Sequence, residues 1–266
     1  MIPTRKGLGR AFLPNRSIDS QTAVFLVIAW GAAGLAAWVV SPWETLPSPP
    51  EVWAAFGTLW WSQGMGPELL TTFKLILHAL GLTILISMAL SYATVIAAFR
   101  PVVVAASKLR FLGITGLLPL FILLTGGGYD LKVALLTFGM TSFFVTSMAQ
   151  VVIEIPREQF DHMRVLGASE LRILWEVVIL GTLDKALDVV RQNLAMGWAM
   201  ITMVEGISRA EGGIGALILN QNKYFKLPEV YAILFVILLL GLVIDYAIGV
   251  FTVLVCPYSR LERVSR

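Results

Sequence analysis

The stretch FDHMRVLGASELRILWEVVIL, residues 160–180, decides how this chain is read. It mixes acidic, basic and apolar residues at helical spacing, with a glycine near its centre. It lies in the one long polar interruption of an otherwise apolar chain. Pro156 ends the element before it or opens the next at its first turn. A short helix is predicted over about 157–166, broken at Gly167. Ser169 is placed to cap a second helix, on which Leu171, Leu174 and Val178 share a face while Glu170, Arg172 and Glu176 turn elsewhere. Gly181 stops it. Two short helices hinged at a glycine make a compact polar knob, the shape of a docking element for a partner protein.

The flanking sequence requires a membrane. Of the 266 residues, 57% are hydrophobic and 14% charged, with mean hydropathy +0.80. A soluble domain carries about 45–50% apolar and about 25% charged residues. Runs near the ~20 residues needed to cross a bilayer fall at 22–41, 72–98, 112–126, 132–154, 188–207 and 229–256. The third is short and contains Pro119. The first is too long for a signal-peptide core and no small-residue cleavage site follows it, so it is read as an uncleaved helix.

Lys/Arg bias orients these runs. Arg5, Lys6, Arg10, Arg16, Arg100, Lys108, Arg110, Arg157, Arg164, Arg172, Lys185, Arg191, Arg260, Arg263 and Arg266 lie on one side, fifteen of the 20 basic residues. Lys74, Lys132, Arg209, Lys223 and Lys226 lie on the other. The expectation is an all-α polytopic membrane protein of about six spans with both termini cytoplasmic. Residues 1–21 form a cytoplasmic tail, 22–256 the membrane domain with a cytoplasmic loop at 155–187, and 257–266 a second cytoplasmic tail.

Of the outer segments, 41–68 has no Lys or Arg and is rich in Pro and Trp. Trp43, Trp53, Trp60 and Trp61 suit a short amphipathic helix at the membrane interface, where indole has a wet edge and an apolar face. Residues 205–229 begin glycine-rich and carry a short apolar run, Ile214 to Leu219, too short to span.

Several chemistries are missing from the sequence. TGGGYDLK (125–132) lacks the Gly-Lys-Ser/Thr ending of a phosphate loop, and EGGIGALI (211–218) lacks the third glycine of a dinucleotide fingerprint. Their glycines read as turn formers. Neither HExxH nor a nucleophile elbow is present. The single Cys256 excludes an internal disulfide or a multi-cysteine metal site. No enzyme activity, resident cofactor, metal or nucleic-acid partner is expected. Polar residues inside spans tend to face a bundle interior or a pathway. The pathway candidates are His78, Gln150, Gln192, Asn193 and Glu205, with Asp245 a further intramembrane polar residue. Each also has the simpler reading of an interhelical hydrogen bond.

DHMRVLGAS (161–169), followed by VVIL (177–180), resembles the EAA loop of binding-protein-dependent ABC importer permeases. Asp161, His162 and Met163 stand where Glu-Ala-Ala is usual, Gly167 matches the loop glycine, and Leu180 replaces a proline. LPSPPEVWAAF (46–56), LPLFILLTGGGYDLKV (118–133) and EGISRAEGGIGALI (205–218) are similar to the nitrate, sulfonate, taurine and bicarbonate branch of that family. The resemblance implies a type I importer fold and transport of a small anionic solute. It also implies that Asp161, His162, Met163, Arg164, Gly167, Ala168, Ser169, Glu170 and Leu171 make the coupling contact with a separate cytoplasmic ATPase, which would bind the ATP. A periplasmic substrate-binding protein and a second permease copy, in a homodimer, are the other implied partners. Two further readings stay open. One is a membrane scaffold or regulatory subunit that docks a partner without transport, and the other is ion-driven transport.

Overall fold

The computed structural model describes residues 19–41 and 46–257. Residues 1–18, 42–45 and 258–266, which hold the basic residues of both terminal tails and Trp43, lie outside the described residues. Eleven α-helices and no strand occur among those described. They run α1 (Ser20–Val39), α2 (Pro49–Ser62), α3 (Met65–Ala93), α4 (Arg100–Lys108), α5 (Ile114–Thr125) and α6 (Gly128–Ile153). Then follow α7 (Arg157–Val165), α8 (Glu170–Ile173), α9 (Leu183–Ile207), α10 (Ile214–Lys223) and α11 (Leu227–Val255).

Helices α3, α6 and α9 form the centre. Leu75, Ile76, Leu135, Leu136, Met140, Phe144 and Ala186 are fully enclosed there, with Trp198 and Ile201 also buried. Close approach depends on small residues, the usual means of packing helices in lipid, where apolar burial supplies little extra drive. Gly197 is one of them: a β-carbon there would press into the Met140 side chain, 2.6 Å from its sulfur. Helices α1 and α11 expose most of their apolar surface, Val27, Trp30, Leu239 and Leu254 among it, as lipid-facing helices must.

Four described helices (α1, α3, α6 and α11) are long and apolar enough to cross a bilayer, and five if α4 and α5 count as one bent span. The remaining two expected spans, 112–126 and 188–207, fall on α5 and α9. Helix α5 has 12 residues, about 18 Å of rise, and joins the 97–111 segment at a 112° bend. Helix α9 has 25 residues, ample length, but Asp184, Lys185, Asp188 and Arg191 crowd its start and lower its apolarity.

The interfacial reading of 41–68 becomes α2. Its start is a capping box: the Ser48 backbone N–H donates to Glu51 Oε2 at 3.0 Å, and Ser48 caps the first turn in return. Val52, Ala55 and Leu59 are buried, whereas Trp53 and Trp61 are exposed on the other face. Trp53, Phe56 and Trp60 stack in sequence at 6.1 and 6.0 Å, a ladder made by their i, i+3 and i+4 spacing. Helix α10 has ten residues, about 15 Å, too short to span, and buries Ile214, Gly215 and Ala216 against the bundle.

Candidate functional site

The two ends of the bundle carry different chemistry. At the end formed by the starts of α3 and α6 and the finish of α9, the glycine-rich loop before α10 meets two carboxylates. The first N–H groups of any helix have no partner inside it and carry partial positive charge. Here side chains from distant helices supply the acceptors. The Gly213 N–H donates to Glu68 Oε2 in a short contact. The Ile214 N–H donates to Thr72 Oγ1 at 2.9 Å, and the Gly215 N–H donates to Glu205 Oε2 at 2.7 Å. The Thr72 hydroxyl donates onward to Glu205 Oε1 at 2.7 Å, closing the network.

Lys132 completes it from α6. Its side chain is only 1% exposed, and its ammonium donates to the Gly212 carbonyl at 2.8 Å while facing Glu205, Glu211 and Glu68 electrostatically. Glu205 itself is fully buried. The buried Glu205 carboxylate thus lies in the field of the buried Lys132 ammonium and of a helix N-terminus, with the more exposed Glu68 and Glu211 nearby. Gly212 and Gly213 have φ of +69° and +109°, conformations that L residues rarely adopt. A side chain on Gly213 would also collide with the Glu205 carboxylate. The glycines of EGGIG are required by this approach as well as by the turn.

The opposite end carries the polar knob. Helix α7 ends where expected, and Gly167 (φ +76°) reverses the chain, its N–H donating to Arg164 O at 2.9 Å and that of Ala168 to Met163 O at 3.0 Å. Ser169 caps α8, accepting from the Arg172 N–H at 3.4 Å. Arg164 bridges the hinge: Nε donates to Glu170 Oε1 at 3.0 Å, and another guanidinium nitrogen donates to Asp161 Oδ1 at 3.2 Å. Arg172 pairs with Glu176 at 2.8 Å.

The Arg164 guanidinium, hydrogen-bonded to Glu170, holds that carboxyl below the ordinary glutamate range. Whatever ordering this pair gives the knob is present above the unfolded glutamate value, about pH 4.3, and is lost as pH falls through the lowered folded value. Because both groups are solvent-exposed, Arg164→Ala is expected to leave the thermal unfolding midpoint nearly unchanged. It should loosen the α7–α8 angle, seen as faster amide hydrogen exchange over 161–171.

One expectation about the knob is corrected. Leu171, Leu174 and Val178, read as sharing one face, do not share surroundings: Leu174 is half-buried and Val178 buried. Leu171 is 79% exposed, and the buried residues are Ile173, Val177 and Val178. From Leu174 to Leu180 the helix is π-type, with i→i+5 hydrogen bonds. The wider turn begins after Leu171 and moves Val178 off the face that a 3.6-residue period gives it. Leu171 joins Val165 (87% exposed) and Leu166 (77%) as apolar surface at the hinge.

The pathway candidates occupy separate places. Glu205 sits in the carboxylate network. His78 stacks on Tyr129 at 5.9 Å, with Nδ1 3.4 Å from its hydroxyl, at the edge of a cavity between α3 and α6. Gln150 donates to Glu154 at 2.8 Å one turn along α6. Gln192 is exposed on α9. Asn193 is buried and donates to the Val189 carbonyl at 3.0 Å. Asp245 meets Arg191, whose Nε donates to Oδ1 at 2.5 Å. Arg191 projects from the start of α9 and joins it to α11 through this pair.

Glu68, Thr72 and Lys132 were not singled out by sequence reasoning. Glu68 and Lys132 carry a faint signal: each is a charged residue at the margin of an apolar run, a position from which a side chain can turn inward to a partner.

No family model matches the chain. Over 120 residues it is 30% identical to a probable ABC transporter permease protein of Brucella melitensis biotype 1. That alignment covers 44% of this chain and 48% of the relative, as do alignments with two Brucella abortus counterparts, so the chain spans about half the length of these relatives. It is 27% identical over 240 residues to the taurine transport system permease protein TauC of Escherichia coli strain K12, covering 84% of this chain and 82% of TauC. Among solved structures, the inward-facing MetNI methionine ABC transporter matches with a TM-score of 0.62 at 17% identity, over 77% of this chain and 98% of that one. The chain is a multi-pass inner-membrane protein, similar in sequence to ABC transporter permeases and in fold to a chain of the MetNI methionine ABC transporter.

Proposed function

We propose that this chain is the pathway-forming permease subunit of an ATP-driven importer, engaging a separate cytoplasmic ATPase through the α7–Gly167–α8 knob. The observation that carries the reading is the knob itself. It combines a left-handed glycine hinge, an Arg164 brace and an exposed apolar patch of Val165, Leu166 and Leu171, at the bundle end opposite the carboxylate network. Water-exposed leucines flanked by charged pairs suit a protein groove better than lipid. In this arrangement α9 crosses the membrane, α4 and α5 together make a bent crossing, and both termini are cytoplasmic. A second copy completes the pathway, and an external binding protein delivers the solute. Similarity to TauC favours a small organic sulfonate or related anion as cargo.

The test uses the chain reconstituted with its ATPase and binding protein in liposomes. ATP-dependent uptake is expected from the wild type. In Leu166→Asp/Leu171→Asp, ATPase association should fall at least tenfold while membrane insertion stays normal. The loss reflects two desolvated apolar contacts replaced by buried charge. Uptake that persists without ATP and collapses with an ion gradient would overturn the reading.

A further inference from the structure

Between Glu68 and Asp130 the sequence holds no acidic residue, yet Lys74, Arg100, Lys108 and Arg110 fall within it. The last three sit on the segment that joins α3 to α5, residues 95–112. Helix α3 starts at the carboxylate network and has 29 residues, about 43 Å of rise, so this segment begins at the knob end of the bundle. Helix α5 then runs back along α6, with Ile114 against Gly139 and a tight turn joining Thr125 to Gly128. The 97–111 stretch makes an angle of 112° with α5. It therefore lies across the bundle, as the in-plane arm of the bent crossing. Little of this arm is covered. Val103 is the buried residue of α4, whereas Phe99, Val102, Ile96 and Phe111 are 47%, 52%, 54% and 78% exposed. Arg100, Ser107 and Lys108 fall on one side of α4 at helical spacing, with Val102 opposite. None of the three arm cations has a carboxylate partner among the described residues, whose ion pairs use Arg164, Arg172 and Arg191 instead. Arg100 donates to Thr94 O at 3.1 Å, and the Arg110 guanidinium lies 5.1 Å from the centre of the Phe111 ring.

Exposed apolar side chains and cations without a counter-charge, together on one in-plane helix, fit the boundary of a bilayer. There the first dip among acyl chains and the second meet headgroups. Charge selects the occupant. A two-fold contact with a second copy sets a patch against itself, and through this arm it would oppose cations with cations and no carboxylate between them. An anionic headgroup supplies the missing charge. We propose that residues 95–112 are an in-plane arm that binds anionic phospholipids of the cytoplasmic leaflet, with Lys108 and Arg110 on the headgroups and Ile96, Phe99 and Val102 among the acyl chains. The proposal goes beyond the permease reading and takes from it only that the knob end is cytoplasmic.

The test places a bimane label on full-length Val102→Cys chain in a Cys256→Ala background. The chain sits in phosphatidylcholine nanodiscs that contain a minor share of acyl-brominated phosphatidylcholine or of acyl-brominated phosphatidylglycerol. The label is expected to be quenched by brominated lipid and protected from aqueous iodide. Brominated phosphatidylglycerol should quench more strongly than the same share of brominated phosphatidylcholine, and added salt should remove the difference. Lys108→Gln/Arg110→Gln should lower the phosphatidylglycerol enrichment about fivefold or more, the usual worth of cations at an anionic surface. Arg100 is kept, because its bond to Thr94 also holds the turn after α3. The same variant should keep its unfolding midpoint in pure phosphatidylcholine, since neither cation has a carboxylate partner; a lower midpoint there would make the cations structural and overturn the proposal. Iodide quenching with none by lipid puts the arm in water, and no quenching by either puts it against protein, a second copy included; each overturns the proposal. Equal quenching by the two lipids leaves an interfacial arm without anionic recognition and overturns it as well. Neither ATPase nor solute enters the assay, so its outcome is independent of transport.

Discussion

Glu205→Ala protein, purified in detergent and heated while its tryptophan fluorescence is followed, is expected to lose about 3–5 kcal/mol of stability, the usual consequence of removing one member of a buried charge network. The mutation takes away the acceptor for the Thr72 hydroxyl and the Gly215 N–H together. It also leaves the enclosed Lys132 ammonium short of a counter-charge. Gly213→Ala should be comparably damaging by a different route, because its φ of +109° disfavours any β-carbon and the space is filled by the Glu205 carboxylate. Glu205→Gln separates the contributions. Its oxygen can serve only one of the two donors and its charge is gone, so it should fall between wild type and alanine. Wild-type stability in all three would show that α10 is held by its apolar contacts alone.

Gly167→Val should have the largest effect on coupling. At φ +76° a β-branched residue is a steric outlier. A β-carbon there meets nothing within 4 Å, so the damage comes from backbone conformation and not from crowding. The chain is expected to relieve that strain by re-aiming α8 relative to α7, which breaks the Arg164–Glu170 bridge. ATP hydrolysis stimulated by the binding protein should drop by an order of magnitude or more, with membrane insertion and bundle stability intact. Gly167→Asn is the control, since asparagine tolerates the left-handed region and should keep most of the activity. If valine and asparagine behave alike, the hinge conformation has no part in coupling.

The knob was legible because its determinants are local. Pro156, Gly167, Ser169 and Gly181 each act on the backbone within a few residues, and the helix limits they imply match α7 and the α8–π segment closely. The spans were legible for a similar reason: an apolar run of sufficient length has few other places to go. Legibility failed where the period changed. Nothing in ELRILWEVVIL announces a π-type stretch, so the face that Leu171, Leu174 and Val178 share at α-helical spacing does not carry through it. The runs at 112–126 and 188–207 both form helices, but α5 is short and bent and α9 begins with four charged residues, so length and apolarity alone do not make either a crossing.

The sequence by itself determined that the chain is a helical membrane protein and that a glycine-hinged knob interrupts its apolar runs. Hydropathy, charge bias and turn chemistry are properties of single segments, readable one window at a time. Only the tertiary structure decided which polar residues meet. The contacts of Thr72 with Glu205, Thr72 with Ile214 and Glu68 with Gly213 join residues 133, 142 and 145 positions apart, and Arg191 reaches Asp245 across 54. A lone Glu at the end of an apolar run looks the same in sequence whether it faces water, lipid or a helix N-terminus. The difference is made by the packing of α3, α6 and α9, which brings the acceptors to α10's unpaired N–H groups.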